Sequence, residues 1–347
     1  MQGNRSRWRF SWQWLVRAAG LAAAVTTLAV GADEGVKIRL GTIAPKGSTY
    51  HRALQEMGEK WKHAEGAAAT FTVFTDGTQG GEADMVRRMR VGQLNAALVS
   101  VVGLMEIDRS VTALQYMPML FRDWSEVDYA RDKLHASLEA RLLDKGFVVL
   151  FWGDAGWARF FSKDAAIRPT DFKKEKMFAW SGDNDQVDLM KTLGYNPVPL
   201  ETADILPGLQ TGLITAVPCA AYYALAGQVD AAAKHMLDLK WVPVVGAAVI
   251  TKKAWDQLSA AGRDQLKVAA DAAGVKIRTR ARQEDQEAVD AMKKRGLIVH
   301  EPTPEIEAEW RKLAEDAYPK IRGTMVPADT FDLVRGAVAE YRKQNGK

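Results

Sequence analysis

The chain carries one cysteine, Cys219, and five histidines, His51, His63, His135, His235 and His300. No histidine has a second histidine or a cysteine at metal-ligand spacing, so zinc chemistry has no ligand set to start from. Cys219 sits between Pro218 and Ala220 with no cation beside it in sequence, which suits a small buried residue better than an activated thiolate. The chain has no P-loop, no Gly-x-Gly-x-x-Gly, no Gly-x-Ser-x-Gly and no His-Glu-x-x-His, which removes the best support for phosphate and hydrolase chemistry. Gly77, Gly80 and Gly81 cluster after a strand but lack the basic partner of a nucleotide loop, and they read as a turn. Carboxylates are plentiful, yet most fall on helix faces where solvation accounts for them. What remains is aromatic density. Of 11 tryptophans, Trp152, Trp157, Trp180 and Trp241 fall at strand ends or in loops, where they can line an apolar cleft as readily as fill a core.

These residues need a scaffold, and the pattern is that of an α/β protein. Val36 to Leu40 alternates like a half-buried strand, and a helix follows with Leu54, Met57, Gly58 and Trp61 on one face and Ser48 or Thr49 as its cap. Ala69 to Phe74, a helix through Met85 and Met89, and Ala96 to Val99 continue the alternation, which predicts a parallel sheet. Leu114 to Phe121, a helix over Trp124 to Leu143 and Phe147 to Trp152 complete a first set. A second set runs through Arg159 to Ser162, Lys176 to Trp180, Pro197 to Leu200 and Ala216 to Cys219, with Val242 to Thr251 a further strand. Beyond Ala254 the chain reads as helical.

The first 31 residues hold Arg5, Arg7, Arg9 and Arg17, no acid, and an apolar stretch from Ala18 to Val30 ending in small residues. This reads as a secretory signal peptide, with an uncleaved anchor as the alternative. The formal charge of +4 belongs to those four arginines, so residues 32–347 are neutral and offer no electrostatic case for nucleic acid. A lone cysteine cannot form an internal disulfide.

In order and spacing, several blocks resemble the solute-receptor P subunits of tripartite ATP-independent periplasmic (TRAP) transporters, of the DctP type. They are Gly41-Thr42-Ile43-Ala44-Pro45, Gly77-Thr78-Gln79-Gly80-Gly81-Glu82, Gly92-Gln93-Leu94-Asn95-Ala96 and Met117-Pro118-Met119-Leu120-Phe121. The most specific is Leu193-Gly194-Tyr195-Asn196-Pro197-Val198-Pro199-Leu200 leading to Leu209-Gln210-Thr211-Gly212-Leu213-Ile214. The resemblance implies an α/β, two-domain periplasmic binding protein with a ligand cleft between the domains and a long helix spanning both. It implies a receptor rather than an enzyme, with no cofactor or metal, handing an organic solute to membrane permease subunits of the Q and M type. On this basis domain I is expected over 32–155 plus 241–280, and domain II over 156–240 plus 281–347.

Departures from the family pattern shape the expected ligand. Where the family carries an arginine that clamps a carboxylate, this chain has Phe178, and where it carries an asparagine, this chain has Cys219. Arg159 matches a second arginine position, although one extra residue separates it from Gly156. Losing the clamp makes a buried anion costly, which favours a hydrophobic or lipid-like ligand; a small carboxylate anchored by Arg159 is the alternative. An exported enzyme using Cys219 or scattered carboxylates is a remote third reading. Expected ligand residues are Ser100, Trp152, Trp157, Arg159, Phe178, Trp180, Cys219 and Tyr222. A subgroup of the family without the arginine works with a periplasmic tetratricopeptide-repeat protein, which adds a possible partner by resemblance.

Overall fold

The structure, a computed structural model, describes residues 35–346; the signal-peptide segment lies outside them. Nine strands form one mixed sheet: β1 (Lys37–Thr42), β2 (Thr70–Phe74), β3 (Ala96–Ser100), β4 (Phe147–Ser162), β5 (Lys176–Trp180), β6 (Asn196–Leu200), β7 (Ala216–Ala220), β8 (His235–Thr251) and β9 (Ile298–His300). Their order is β2-β1-β3-β8-β4-β7-β5-β6, with β9 on β8. Each flank is parallel, as the alternating pattern requires: β1 with β2 and β3, β5 with β6 and β7. The centre is not. The long strands β4 and β8 run antiparallel to each other and to their neighbours β7 and β3.

Two expectations are corrected here. Phe147 to Trp152 and Arg159 to Ser162 are parts of one 16-residue strand, because Asp154 to Gly156, which resembles a turn in sequence, is absorbed by shifts of register against β8. Leu114 to Phe121 forms no strand: a 3-10 turn runs Arg109–Leu114, and Met119 takes a left-handed conformation beyond Pro118.

Side-chain alternation on β8 explains the first half's two-sided core. Val245, Ala247 and Val249 join Trp152, Val127 and Val334 in one cluster. Ala248 and Ile250 face the other way, onto Leu54, Met57, Trp61 and the helix Ala260–Lys294. Ser48 caps the helix Thr49–Glu65 by accepting from the His51 amide at 3.2 Å. The 35-residue helix Ala260–Lys294 serves both halves: Leu266 through Ala281 pack in the first half, while Ala288, Val289 and Met292 pack with Phe161, Phe178 and Leu209 in the second. All three expected crossings between domains, near 155, 240 and 280, therefore fall inside continuous elements, β4, β8 and this helix.

Candidate functional site

The carboxyl ends of β1 and β3 in one half, and of β5 and β7 in the other, open onto a common cavity of ≈ 620 Å³, the position where open α/β sheets take ligands. The first half contributes Thr42, Ile43 and Ser100, the second Phe178, Trp180 and Tyr223, and the central strands supply Phe160 and Trp241. Gly77 and Gly80, whose φ values are +66° and +92°, turn the loop after β2 along the rim, which is the turn role their cluster suggests.

The wall is apolar with hydrogen-bonding groups set into it. Ser100 accepts from the Val102 amide and donates to Glu82 at 2.5 Å, and Glu82 also receives the amides of Ser100 (2.8 Å) and Gly103 (3.1 Å). Burial nonetheless pushes the Glu82 carboxyl up, with these donors only partly offsetting it. Tyr116 donates its hydroxyl to Asp183, and burial raises both groups. Tyr50 donates to the carbonyl of Asp154 at 2.9 Å. Among the described residues lining the cavity there is no lysine, arginine or histidine, whereas Asp76, Glu82, Asp154 and Glu201 all take part.

Four of the eight expected ligand residues reach this wall: Ser100, Phe178, Trp180 and Cys219. Phe178 is 1% exposed and meets Trp180 edge-on, ring centroids 5.0 Å apart. Cys219 lies opposite Arg159 in register, and burial, with Asp285 adding to it, pushes its thiol to about 12. A thiol held neutral is a poor nucleophile.

Trp152, Trp157, Arg159 and Tyr222 do not line the cavity. Trp152 and Trp157 are core residues: Trp152 donates to Glu139 at 2.8 Å and Trp157 packs 5.0 Å from Trp124. Tyr222 packs on Tyr50, and its neighbour Tyr223 takes the wall position. Arg159 falls between the lining residues Ala158 and Phe160 but does not itself line the cavity. Its guanidinium binds Asp285 on the long helix at 2.6 Å and Asp238 on β8 at 2.5 Å. Burial works against the charge, but the two carboxylates outweigh it and raise the pKa of Arg159. Asp285 also accepts from the Ala221 amide at 2.9 Å. The arginine expected to anchor a ligand is thus a joint between β4, β8 and the long helix.

Sequence spacing also missed a histidine pair. β8 and β9 bring His235 and His300 together, ring nitrogens 2.9 Å apart. Among the described residues, no group of three or more His, Cys, Asp or Glu could hold a metal ion.

Comparison with known proteins bears on the same geometry. The family model for bacterial extracellular solute-binding protein, family 7 (DctP), matches residues 40–323. The 2,3-diketo-L-gulonate-binding periplasmic protein YiaO of Escherichia coli is 24% identical over 283 residues, 81% of this chain and 84% of its own. A TRAP periplasmic solute binding protein from Xanthobacter autotrophicus, solved with β-D-galacturonate, superposes with a TM-score of 0.79 at 19% identity, over 87% of this chain and 99% of its own. Another from Shewanella oneidensis, solved with succinate, gives 0.81 at 17% identity, over 88% and 99%. These likenesses show the two-domain fold. The polar acids bound in them count against the hydrophobic, lipid-like ligand expected from Phe178 and Cys219, and that expectation is withdrawn.

Proposed function

The chain belongs to the bacterial extracellular solute-binding proteins of family 7, and on that premise we propose that it is the periplasmic receptor of a TRAP transporter, which captures a small organic acid and delivers it to the membrane permease. The observation that carries this is the cavity itself, walled by both flanks of the sheet and by the central strands. Its volume of ≈ 620 Å³ suits a ligand of sugar-acid size. The domains we propose are 32–155 with 241–280 and 156–240 with 281–347, hinged where β4, β8 and the long helix cross, save that the last helix, Ala328–Gln344, packs on the first half through Phe331, Val334 and Val338. A ligand touching both walls favours the closed state by its differential affinity, which is the signal a permease can read. Membership of the arginine-lacking subgroup, with its tetratricopeptide-repeat partner, is a finer proposal that rests on Phe178.

One observation favours a second reading. Asp154 being paired with Arg131 and Arg282, a carboxylate in this cavity still meets Asp76, Glu82 and Glu201 and no basic side chain, and a buried anion without a partner is costly, so an uncharged solute of the same size is the competitor. Calorimetric titration of the ligand-free protein with D-galacturonate, succinate and 2,3-diketo-L-gulonate, each beside its amide or methyl ester, tests both. We expect one of the acids to bind and its neutral derivative to bind more weakly. Tighter binding of the neutral form would establish the second reading, and no binding of either would defeat the receptor assignment for this class.

A further inference from the structure

Among the described residues, three enclosed side-chain polar atoms have no hydrogen-bond partner: the Trp61 indole nitrogen, one oxygen of Glu284 and the Tyr195 hydroxyl. Trp61 is packed in the core of the first half, and the other oxygen of Glu284 accepts from Thr49 at 2.5 Å. Tyr195 differs from both, because it is the one of the three that lines the cavity. It is 8% exposed and packs with Phe160, Met177 and Trp310. Burial pushes its hydroxyl to about 12, and the ammonium of Lys173, 5.9 Å over its ring, gives the hydroxyl no partner. A buried donor left unmade carries its full desolvation cost, and the fold retains this one beside the space a ligand fills.

The surroundings say what kind of ligand group belongs there. Phe160 and Trp310 stack at 4.8 Å and 26°, Trp241 meets Trp310 edge-on at 5.4 Å, and all three rings line the cavity. Ring faces cover the apolar faces of a saturated ring or chain. The indole of Trp310 is already committed to the carbonyl of Ile167 at 2.9 Å. Tyr195 is then the enclosed donor of this aromatic end that lacks an acceptor.

We propose that Phe160, Met177, Trp241, Trp310 and Tyr195 form a subsite for the uncharged body of the ligand, a saturated ring or chain bearing an oxygen to which the Tyr195 hydroxyl donates. The inference rests on the receptor assignment above and adds to it where the ligand's non-acidic part is held and by which residue. It requires the wall to open at the hydroxyl on binding, since that atom is enclosed in the ligand-free arrangement.

Tyr195→Phe separates this from a packing role. A hydroxyl that meets nothing in the free protein can be removed without loss, so ligand-free Tyr195→Phe, refolded from denaturant, should melt at or above the wild-type temperature. Its affinity for whichever of D-galacturonate and 2,3-diketo-L-gulonate, both of which carry oxygens outside the carboxylate, binds the wild type, read by calorimetry, should nevertheless fall at least tenfold. Unchanged affinity would overturn the subsite. If neither binds, native mass spectrometry of the protein as recovered from cells supplies the ligand: reduced retention by Tyr195→Phe supports the proposal, and equal retention overturns it. Wild type that neither binds these acids nor retains any solute would overturn the receptor assignment and the subsite with it, a result distinct from a receptor that binds but ignores Tyr195.

Discussion

At the scale of single residues, pairs far apart in sequence decide what a side chain does. Arg159 reads as a ligand anchor through its resemblance to a family arginine position, and its actual partners, 79 and 126 residues away, leave no local trace. Asp285→Ala removes one of the two carboxylates that hold the buried Arg159 and the acceptor of the Ala221 amide, so it should lose about 3 kcal/mol in urea unfolding, while any ligand that still binds does so with little change in affinity. A large affinity loss at unchanged stability would return Arg159 to the ligand site. Tyr116→Phe strips Asp183 of its buried donor and should cost about 1.5–3 kcal/mol by the same measurement. A pH-dependent counterpart sits at the junction of Asp128 with Arg131 and Arg282. Burial raises the Asp128 carboxyl, but the hydrogen bond and charge of Arg282 and the charge of Arg131 outweigh it and hold the group below its ordinary value. A depressed folded pKa means stability present above the unfolded value near ~4 and lost as pH falls through the folded one. Asp128→Asn should therefore be less stable than wild type at neutral pH, and the gap should close as unfolding is repeated below about pH 4. A gap that stayed constant would assign the effect to packing.

At the scale of elements, periodicity made most of the fold legible, and close approach was where it stopped. Strands β1, β3, β5 and β7 and the three long C-terminal helices follow from alternation and helical spacing because each buries one face. The continuity of β4 did not, since Asp154-Ala155-Gly156 has the composition of a turn and only pairing with β8 makes it strand. Half of the site was hidden for the same reason: which face of β4 meets the cavity depends on register shifts that no local pattern records. Two helical glycines show how packing overrules propensity. A Cβ at Gly274 would lie 2.8 Å from the Cβ of Phe151, whereas at Gly336 it would meet nothing within 4 Å. Alanine gains about 0.5–1 kcal/mol over glycine in a helix interior, and overpacking costs about 1–3 kcal/mol. Gly336→Ala should raise the melting temperature, and Gly274→Ala should lower it by loosening the long helix from β4. Equal shifts in both variants would mean that the helix does not press on Phe151.

At the scale of the whole molecule, charge bears on how an acid would be held. Residues 32–347 carry no net formal charge, so no long-range field draws an anion in. The cavity adds none: its described lining holds Asp76, Glu82, Asp154 and Glu201 and no basic side chain. If affinity came from an ion pair, salt would weaken it, because screening acts within about 10 Å at 0.1 M and about 3 Å at 1 M. Asp154 is already paired with Arg131 and Arg282, so an acid ligand meets the like charge of Asp76, Glu82 and Glu201 alone, which salt screens in the opposite sense, and an uncharged ligand faces nothing that salt changes. Titration of the bound solute at about 0.05 M and about 0.5 M sodium chloride should therefore give an affinity that is flat or modestly higher at high salt. A severalfold loss of affinity would require a cation at the ligand, reached only when the halves close, and would point to Arg159 or another base leaving its present partners as the cavity shuts. The sign of the salt effect thus reports whether binding is settled by the wall as it stands or by a charge that closure brings in.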